Sequence, residues 1–142
     1  GKKECFRAIE ESAAYISYGH LKIIKSITRY RVEEIVFCGG ASKGILWPQI
    51  LADVMGVDVK VPLVKESTAL GAAICAGVGA GLFSNIQDTA ENLVKWERTF
   101  EPNGDNHIKY IRLYKHWREI YSRCLRMAED GLVRPMWRAA GT

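Results

Sequence analysis

The segment Phe37-Cys38-Gly39-Gly40-Ala41-Ser42-Lys43 has the residue types and spacing best suited to chemistry in this 142-residue chain. An apolar run ends there in two glycines, and a helical pattern starts directly afterwards. Glycine has no Cβ, so its backbone can approach a ligand closely and adopt unusual φ. Ligands of open α/β sheets sit beyond the carboxyl ends of strands. The free N–H groups at the next helix start can face an anion or the polar edge of a ring. The pattern suits nucleotide binding. A tight turn after a strand reads the same way, and the segment alone leaves both readings open.

Other arrangements fail on context. Gly77, Gly79 and Gly81 alternate, but they follow a helical pattern rather than a strand, so they lack the setting of a dinucleotide fingerprint. Helix packing with a C-terminal stop accounts for them. Lys43 is no Walker lysine, because no GxxxxGK[ST] run is present. Asp53 and Glu66 are carboxylates without a partner of acid–base geometry, and Glu66 suits a helix start, where the dipole favours an acid. No Ser/His/Asp set stands out, so no residue is assigned a catalytic role. His20 falls on an apolar stripe and reads as a core or boundary residue. It has no second ligand at metal spacing, and no metal site is assigned.

The elements that must position the glycine segment follow from periodicity. Residues 3–28 read as one long helix, with Phe6, Ile9, Ala13, Ile16, His20, Ile23 and Ile27 recurring at three and four. Glu34 to Cys38 is a short apolar, β-rich run, as expected of a buried parallel strand. A helix over 45–55 follows, with Pro48 tolerable only in its first turn and Gly56 as its stop. Val57 to Val61 is a second strand closed by Pro62. Glu66-Ser67-Thr68 opens a helix of small apolar residues reaching Val78. Asp88 to Lys95 is a short helix and Trp96 to Pro102 is extended. Asn103-Gly104-Asp105-Asn106 is a turn and cap. His107 to Asp130 is a last long helix with the stripe Tyr110, Tyr114, Trp117, Tyr121, Cys124 and Ala128, which reads as core. The order is helix, strand, helix, strand, helix, then appended helices, an α/β class. Two strands alone make a poor sheet, so the pattern reads as part of a larger domain with an unpaired edge open to self-association.

Composition sets the bounds. Hydrophobic residues at 48% and charged residues at 25% are ordinary for a globular domain and exclude a disordered or fibrous chain. No apolar run is long enough to span a membrane, and no signal peptide is read at Gly1-Lys2-Lys3-Glu4. Cys5, Cys38, Cys75 and Cys124 are too far apart for a CxxC or zinc pattern. They read as reduced, mostly buried thiols of a cytoplasmic protein. The net charge of +4 is concentrated in residues 106–142, which carry eight Lys/Arg against three acids. That run reads as the solvated face of a helix rather than a nucleic-acid surface. It divides the chain into an α/β part, 1–105, and a basic helix and tail, 106–142.

Gly39-Gly40-Ala41-Ser42-Lys43, Trp47-x-Gln49, Ala52-Asp53-Val54-x-Gly56 and Glu66-x-Thr68-Ala69-Leu70-Gly71-Ala72-Ala73 together resemble the C-terminal lobe of the FGGY carbohydrate kinases. With Val94-Lys95-Trp96-Glu97-Arg98 and Met136-Trp137 the likeness covers the whole chain and is nearest the family's autoinducer-2 branch. Xylulose, ribulose and glycerol kinases are the next alternatives, and a non-catalytic nucleotide-binding module of the same superfamily is a further one. The resemblance implies part of a ribonuclease-H-like lobe of the actin/hexokinase superfamily. It implies ATP as cofactor, with Gly39 and Gly40 approaching the adenosine through their backbone and Ser42, Lys43 and Gly44 bordering the base. The Thr68–Gly77 helix would lie at the interlobe hinge. The position of Gly44 ordinarily carries a polar side chain in the family; glycine there offers backbone only, which loosens base selectivity. The sugar-like substrate, the phosphate loops, the catalytic aspartate and the Mg²⁺ ligands belong to family segments outside this chain. The rest of the kinase chain is therefore an implied partner, and the isolated chain is expected to be inactive.

Overall fold

The computed structural model describes residues 1–134. Helix α1 (Lys2–Thr28) leads to strand β1 (Glu34–Val36), a short 3-10 turn (Gly40–Lys43) and helix α2 (Leu46–Met55). Strand β2 (Asp58–Pro62), helices α3 (Ser67–Gly79) and α4 (Ile86–Leu93), strand β3 (Trp96–Phe100) and helix α5 (Gly104–Glu129) complete it. The α/β class matches the sequence reading, and so does the element order except that Trp96–Phe100, read only as extended, is a third strand.

The sheet has three strands rather than two, in the order β1-β2-β3. β1 and β2 are parallel, Ile35 opposite Val59, with α2 as the crossover. β3 is antiparallel to β2, Lys60 opposite Thr99. The ladder slips between Val61 and Pro62, where proline has no N–H to donate. Residues 96–100 set Glu97, Arg98 and Thr99 between Trp96 and Phe100, and that extended run becomes a strand once β2 offers its second edge.

Helix α2 is the hub. Seven of its ten residues are buried, Pro48 and Ile50 to Met55 among them. It ends as its sequence demands: Gly56 sits at φ 68°, and its N–H donates to the Ala52 carbonyl. That left-handed cap favours glycine. Val59 supports α2 from β2, while Ala14, Tyr15 and Leu21 of α1 and Tyr110 and Tyr114 of α5 close the core around it.

The buried face of α1 is not the stripe that its periodicity favours. Ala14, Tyr15 and Leu21 are buried, whereas Phe6 and Ile27 are 70% and 75% exposed and His20 is exposed. The helix bears two apolar faces. Tyr15 and Tyr18 win the core because their rings meet an aromatic row on α5: Tyr15 lies 6.2 Å from Tyr110 and 5.6 Å from Trp117, and Tyr18 packs edge-on to Tyr114 at 4.9 Å. On α5 the expected stripe is buried only at Tyr110 and Tyr114, with Trp117 half-buried. Tyr121 and Cys124 are exposed; Tyr121 stacks on Trp117 at 5.1 Å along the open groove between α5 and α1.

The four cysteines correct another expectation. All are exposed and unbridged, since each stands on an outward helix face or, for Cys38, where the chain leaves β1. The small residues of α3 are largely exposed too. Its close approach is made at Gly77, where an added Cβ would lie 2.5 Å from the Phe83 ring. Lys109, Arg112, Lys115 and Arg118 are exposed on α5, as a solvated basic face requires. Met136 and Trp137 lie outside the described residues.

Candidate functional site

The site is built at the C-terminal end of β1. Phe37 extends the ladder by donating its N–H to the Lys60 carbonyl at 2.9 Å. The chain then turns sharply at Gly39, whose φ of 81° is a conformation that favours glycine. Gly39 N–H donates to the Lys65 carbonyl at 2.9 Å, fixing the start of the turn to the β2–α3 connection.

Ser42 closes the turn from inside. It has no exposed surface, and its hydroxyl donates to the Gly39 carbonyl at 2.8 Å while its N–H reaches the same oxygen at 3.2 Å. The side chain is committed to the shape of the loop. Lys43 projects its side chain outward, and its carbonyl accepts from Arg98 Nη2 at 3.2 Å. Gly44 is exposed and extended. A Cβ added at Gly40 or Gly44 would meet nothing within 4 Å. The loop is held at both ends and open over its two exposed glycines, so a planar group could lie against bare backbone there.

The residues around the loop explain its rigidity. Trp47 in the first turn of α2 packs edge-on to Phe37 at 5.9 Å. Gln49 Nε2 donates to Asp53 Oδ1 and to the Glu101 carbonyl, both at 2.9 Å. Asp53, only 4% exposed, also accepts from Asn103 N–H at 2.9 Å and from Asn106 Nδ2 at 3.0 Å. It thereby ties α2 to the start of α5. His107 Nδ1 stands 2.9 Å from the Asp53 carbonyl oxygen. Asp53 is thus a framework acceptor, and Glu66 is the N-cap position of α3 without a side-chain capping bond.

Sequence reasoning missed a group on the other side of the loop. Lys65 Nζ pairs with Glu97 Oε2, and Arg98 Nε lies 3.5 Å from Glu97 Oε1. The bond from Lys65 lowers the Glu97 carboxyl pKa below its usual value. The run Trp96-Glu97-Arg98-Thr99-Phe100 reads only as extended, and nothing in its local pattern says that Glu97 and Arg98 meet Lys65 and Lys43 once β3 lies beside β2. Among the described residues no group of three or more His, Cys, Asp or Glu side chains could hold a metal ion. Among them, too, no helix is long and apolar enough to cross a membrane.

Residues 1–80 match the model of the FGGY family of carbohydrate kinases, C-terminal domain. The chain belongs to that family. It is 46% identical over 140 residues to the autoinducer-2 kinase of Escherichia coli (strain K12), a match that takes in 99% of this chain and 26% of that protein. Its fold is shared with a gluconate kinase from Lactobacillus acidophilus, at a TM-score of 0.74 and 22% identity over 87% of this chain and 25% of the other. A Plasmodium falciparum glycerol kinase solved with ADP superposes with a TM-score of 0.67 at 22% identity, covering 82% of this chain and 23% of that one. The chain therefore spans about a quarter of the length of the FGGY kinases it matches. The resemblance read from Gly39 to Ala73 and the fold class are both borne out.

Proposed function

We propose that this chain supplies the adenosine-binding part of an ATP-dependent carbohydrate kinase that transfers the γ-phosphate to a hydroxyl of a small sugar-like substrate. The observation that carries the reading is the loop itself: fixed at Gly39 and Lys43, open over Gly40 and Gly44. Gly39 and Gly40 bring backbone to the adenosine. Ser42 fixes the curvature, and Lys43 and Gly44 border the base. With glycine at position 44 the base edge meets backbone alone, and selectivity among nucleotides is correspondingly loose. A lost side-chain hydrogen bond is worth about 1 kcal/mol.

The substrate we assign is autoinducer-2, on the 46% identity to the Escherichia coli kinase of that name. Xylulose, ribulose and glycerol kinases remain the rival family members. Mg²⁺ would arrive with the nucleotide and be held by residues outside this chain. The partner is the rest of the kinase chain, and the apolar surface at Val36, Ile45, Leu63 and Val64 is where it would dock. A free β1 edge favours self-association when that cover is absent. The four exposed, unbridged thiols fit the reducing cytoplasm. Residues 1–105 form the adenosine part in this reading, and 106–142 the basic helix and tail.

Phosphoryl transfer relies on positioning and charge stabilisation, and in this reading the segments that supply the phosphate clamps and the base lie outside this chain. The isolated chain should bind nucleotide without turning it over. Titrating MgATP and MgADP into the isotope-labelled chain tests this. Amide shifts confined to Gly39–Gly44 are expected. A well-dispersed spectrum that does not move, or phosphorylation of substrate by the pure chain, overturns the reading.

A further inference from the structure

We propose that Arg98, set by Glu97 and Lys65, is a positioning residue of the nucleotide loop, and that this is the purpose of the Lys95-Trp96-Glu97-Arg98 segment. The inference rests on the adenosine reading given above. The loop has two attachment points outside its own turn. At its start, Gly39 N–H is bonded to the Lys65 carbonyl. At its end, the Lys43 carbonyl is bonded to Arg98 Nη2. These two anchors are joined to each other, since Glu97 receives Lys65 Nζ on one oxygen and faces Arg98 Nε with the other. Lys65 Nζ also donates to the Pro62 carbonyl, which fixes the lysine to the bulged end of β2.

The result is a closed circuit: Gly39, Lys65, Glu97, Arg98, Lys43, and back through the turn. Every link but the turn itself comes from β3 or the β2–α3 connection. The circuit sets the separation of the loop's ends, and so the curvature presented by Gly40 and Gly44. The Arg98 guanidinium also lies over the Phe100 ring, 5.7 Å from its centroid, a contact that limits its freedom to leave the Lys43 carbonyl.

A role in stability alone is a poor account of these residues. Glu97 is exposed, and β3 is an edge strand whose partners are otherwise backbone and aromatic. The Lys65 side chain is largely covered, but the carboxylate it meets is open to water, and an ion pair screened on that side contributes little to folding. The geometry of these residues points at one place, the two ends of the turn. Arginine suits this better than lysine because its planar fork can serve a carbonyl and a carboxylate at once.

The test compares the chain with R98A, R98K and E97Q. Without nucleotide, amide exchange at Gly39 and Ser42, whose N–H groups are bonded to the Lys65 and Gly39 carbonyls, should quicken about tenfold in R98A, the factor expected for one lost hydrogen bond. Amides of α2 and α5 should keep their wild-type rates. R98K should restore part of the protection, because it still carries a donor for the Lys43 carbonyl. With MgADP, R98A should bind about tenfold more weakly at an unchanged thermal midpoint, and E97Q should fall between. Unchanged loop exchange in R98A overturns the proposal, as does acceleration shared by the whole domain. Equal MgADP affinity in wild type and R98A also overturns it. If wild type binds no nucleotide, the adenosine reading fails, while loop exchange still reports whether Arg98 sets the turn.

Discussion

Removing the Asp53 carboxylate should loosen the start of α5 before anything else. The side chain is 4% exposed and accepts three hydrogen bonds at 2.9–3.0 Å, from Gln49 Nε2, Asn103 N–H and Asn106 Nδ2. In D53A these donors do not suffer equally. Gln49 Nε2 keeps the Glu101 carbonyl. Asn103 lies near the rim, where water can reach its N–H. Asn106 Nδ2 is half-buried and loses its recorded acceptor. A hydrogen bond to a charged group is worth about 1.5–3 kcal/mol, and an unpaired buried donor costs a similar amount. One bond lost outright and one replaced by water give a destabilisation of about 3 kcal/mol. For a chain of this length that is a fall of about 10 °C in thermal midpoint.

D53N should cost less, about 2 kcal/mol, since one oxygen still accepts while the new amide faces donors. Urea unfolding followed by circular dichroism measures both. Amide exchange locates the effect: His107 N–H, bonded to the Asn103 carbonyl at 2.8 Å, should lose protection before the β2 amides do. A loss below about 1 kcal/mol in D53A would show the three bonds to be replaceable by water, and the hub argument would fail. Uniform loss of protection would refute the localisation. The D53A/N106A pair closes the cycle, because the second substitution should then cost almost nothing.

Two further outcomes follow from local geometry. G56A combines a φ of 68° with a Cβ placed 2.6 Å from His107 Cε1, so it should cost about 2–3 kcal/mol in urea unfolding; H107A should recover the steric part of that loss and leave the backbone part. Burial raises the Tyr15 hydroxyl to about 12, with Glu11 adding to the shift, and burial likewise raises Tyr18 and Tyr110. Because the folded chain holds these protons more tightly than the unfolded one, their stabilisation is complete below pH 10 and is lost as pH rises toward 12. With the other three tyrosines, Tyr30, Tyr114 and Tyr121, replaced by Phe, tyrosinate absorbance and circular dichroism should therefore change together in that window, and tyrosinate formation ahead of unfolding would contradict it.

The sequence was most legible where local chemistry leaves one solution. Gly56 ends α2 in the left-handed cap expected of it, and Asn103 caps α5, its side chain accepting from Asn106 N–H. The glycine pair sits after a strand, with Gly39 in a backbone conformation few other residues adopt. Legibility fails where an element has two apolar surfaces. On α1 the isoleucine stripe outscores the tyrosine face by hydrophobicity, yet the tyrosines are buried, because the choice is made by the aromatic row on α5, 95 to 102 residues along the chain from Tyr15. The cysteines fail for the same reason, since apolar neighbours in sequence do not say which way a helix faces.

The framework of the site shows the same limit at closer range. Trp47, Gln49, Asp53 and Gly56 read as a motif, yet none of them borders the open part of the loop. Each instead fixes α2, the helix that begins where the loop ends. Arg98 is the converse. It lies 55 residues from Lys43 in the chain and still meets its carbonyl. No spacing rule connects them, because the contact exists only after β3 has taken the free edge of β2. A spacing pattern can thus mark the residues that build a helix start, while the residues that hold the loop from outside are recoverable only from the sheet order.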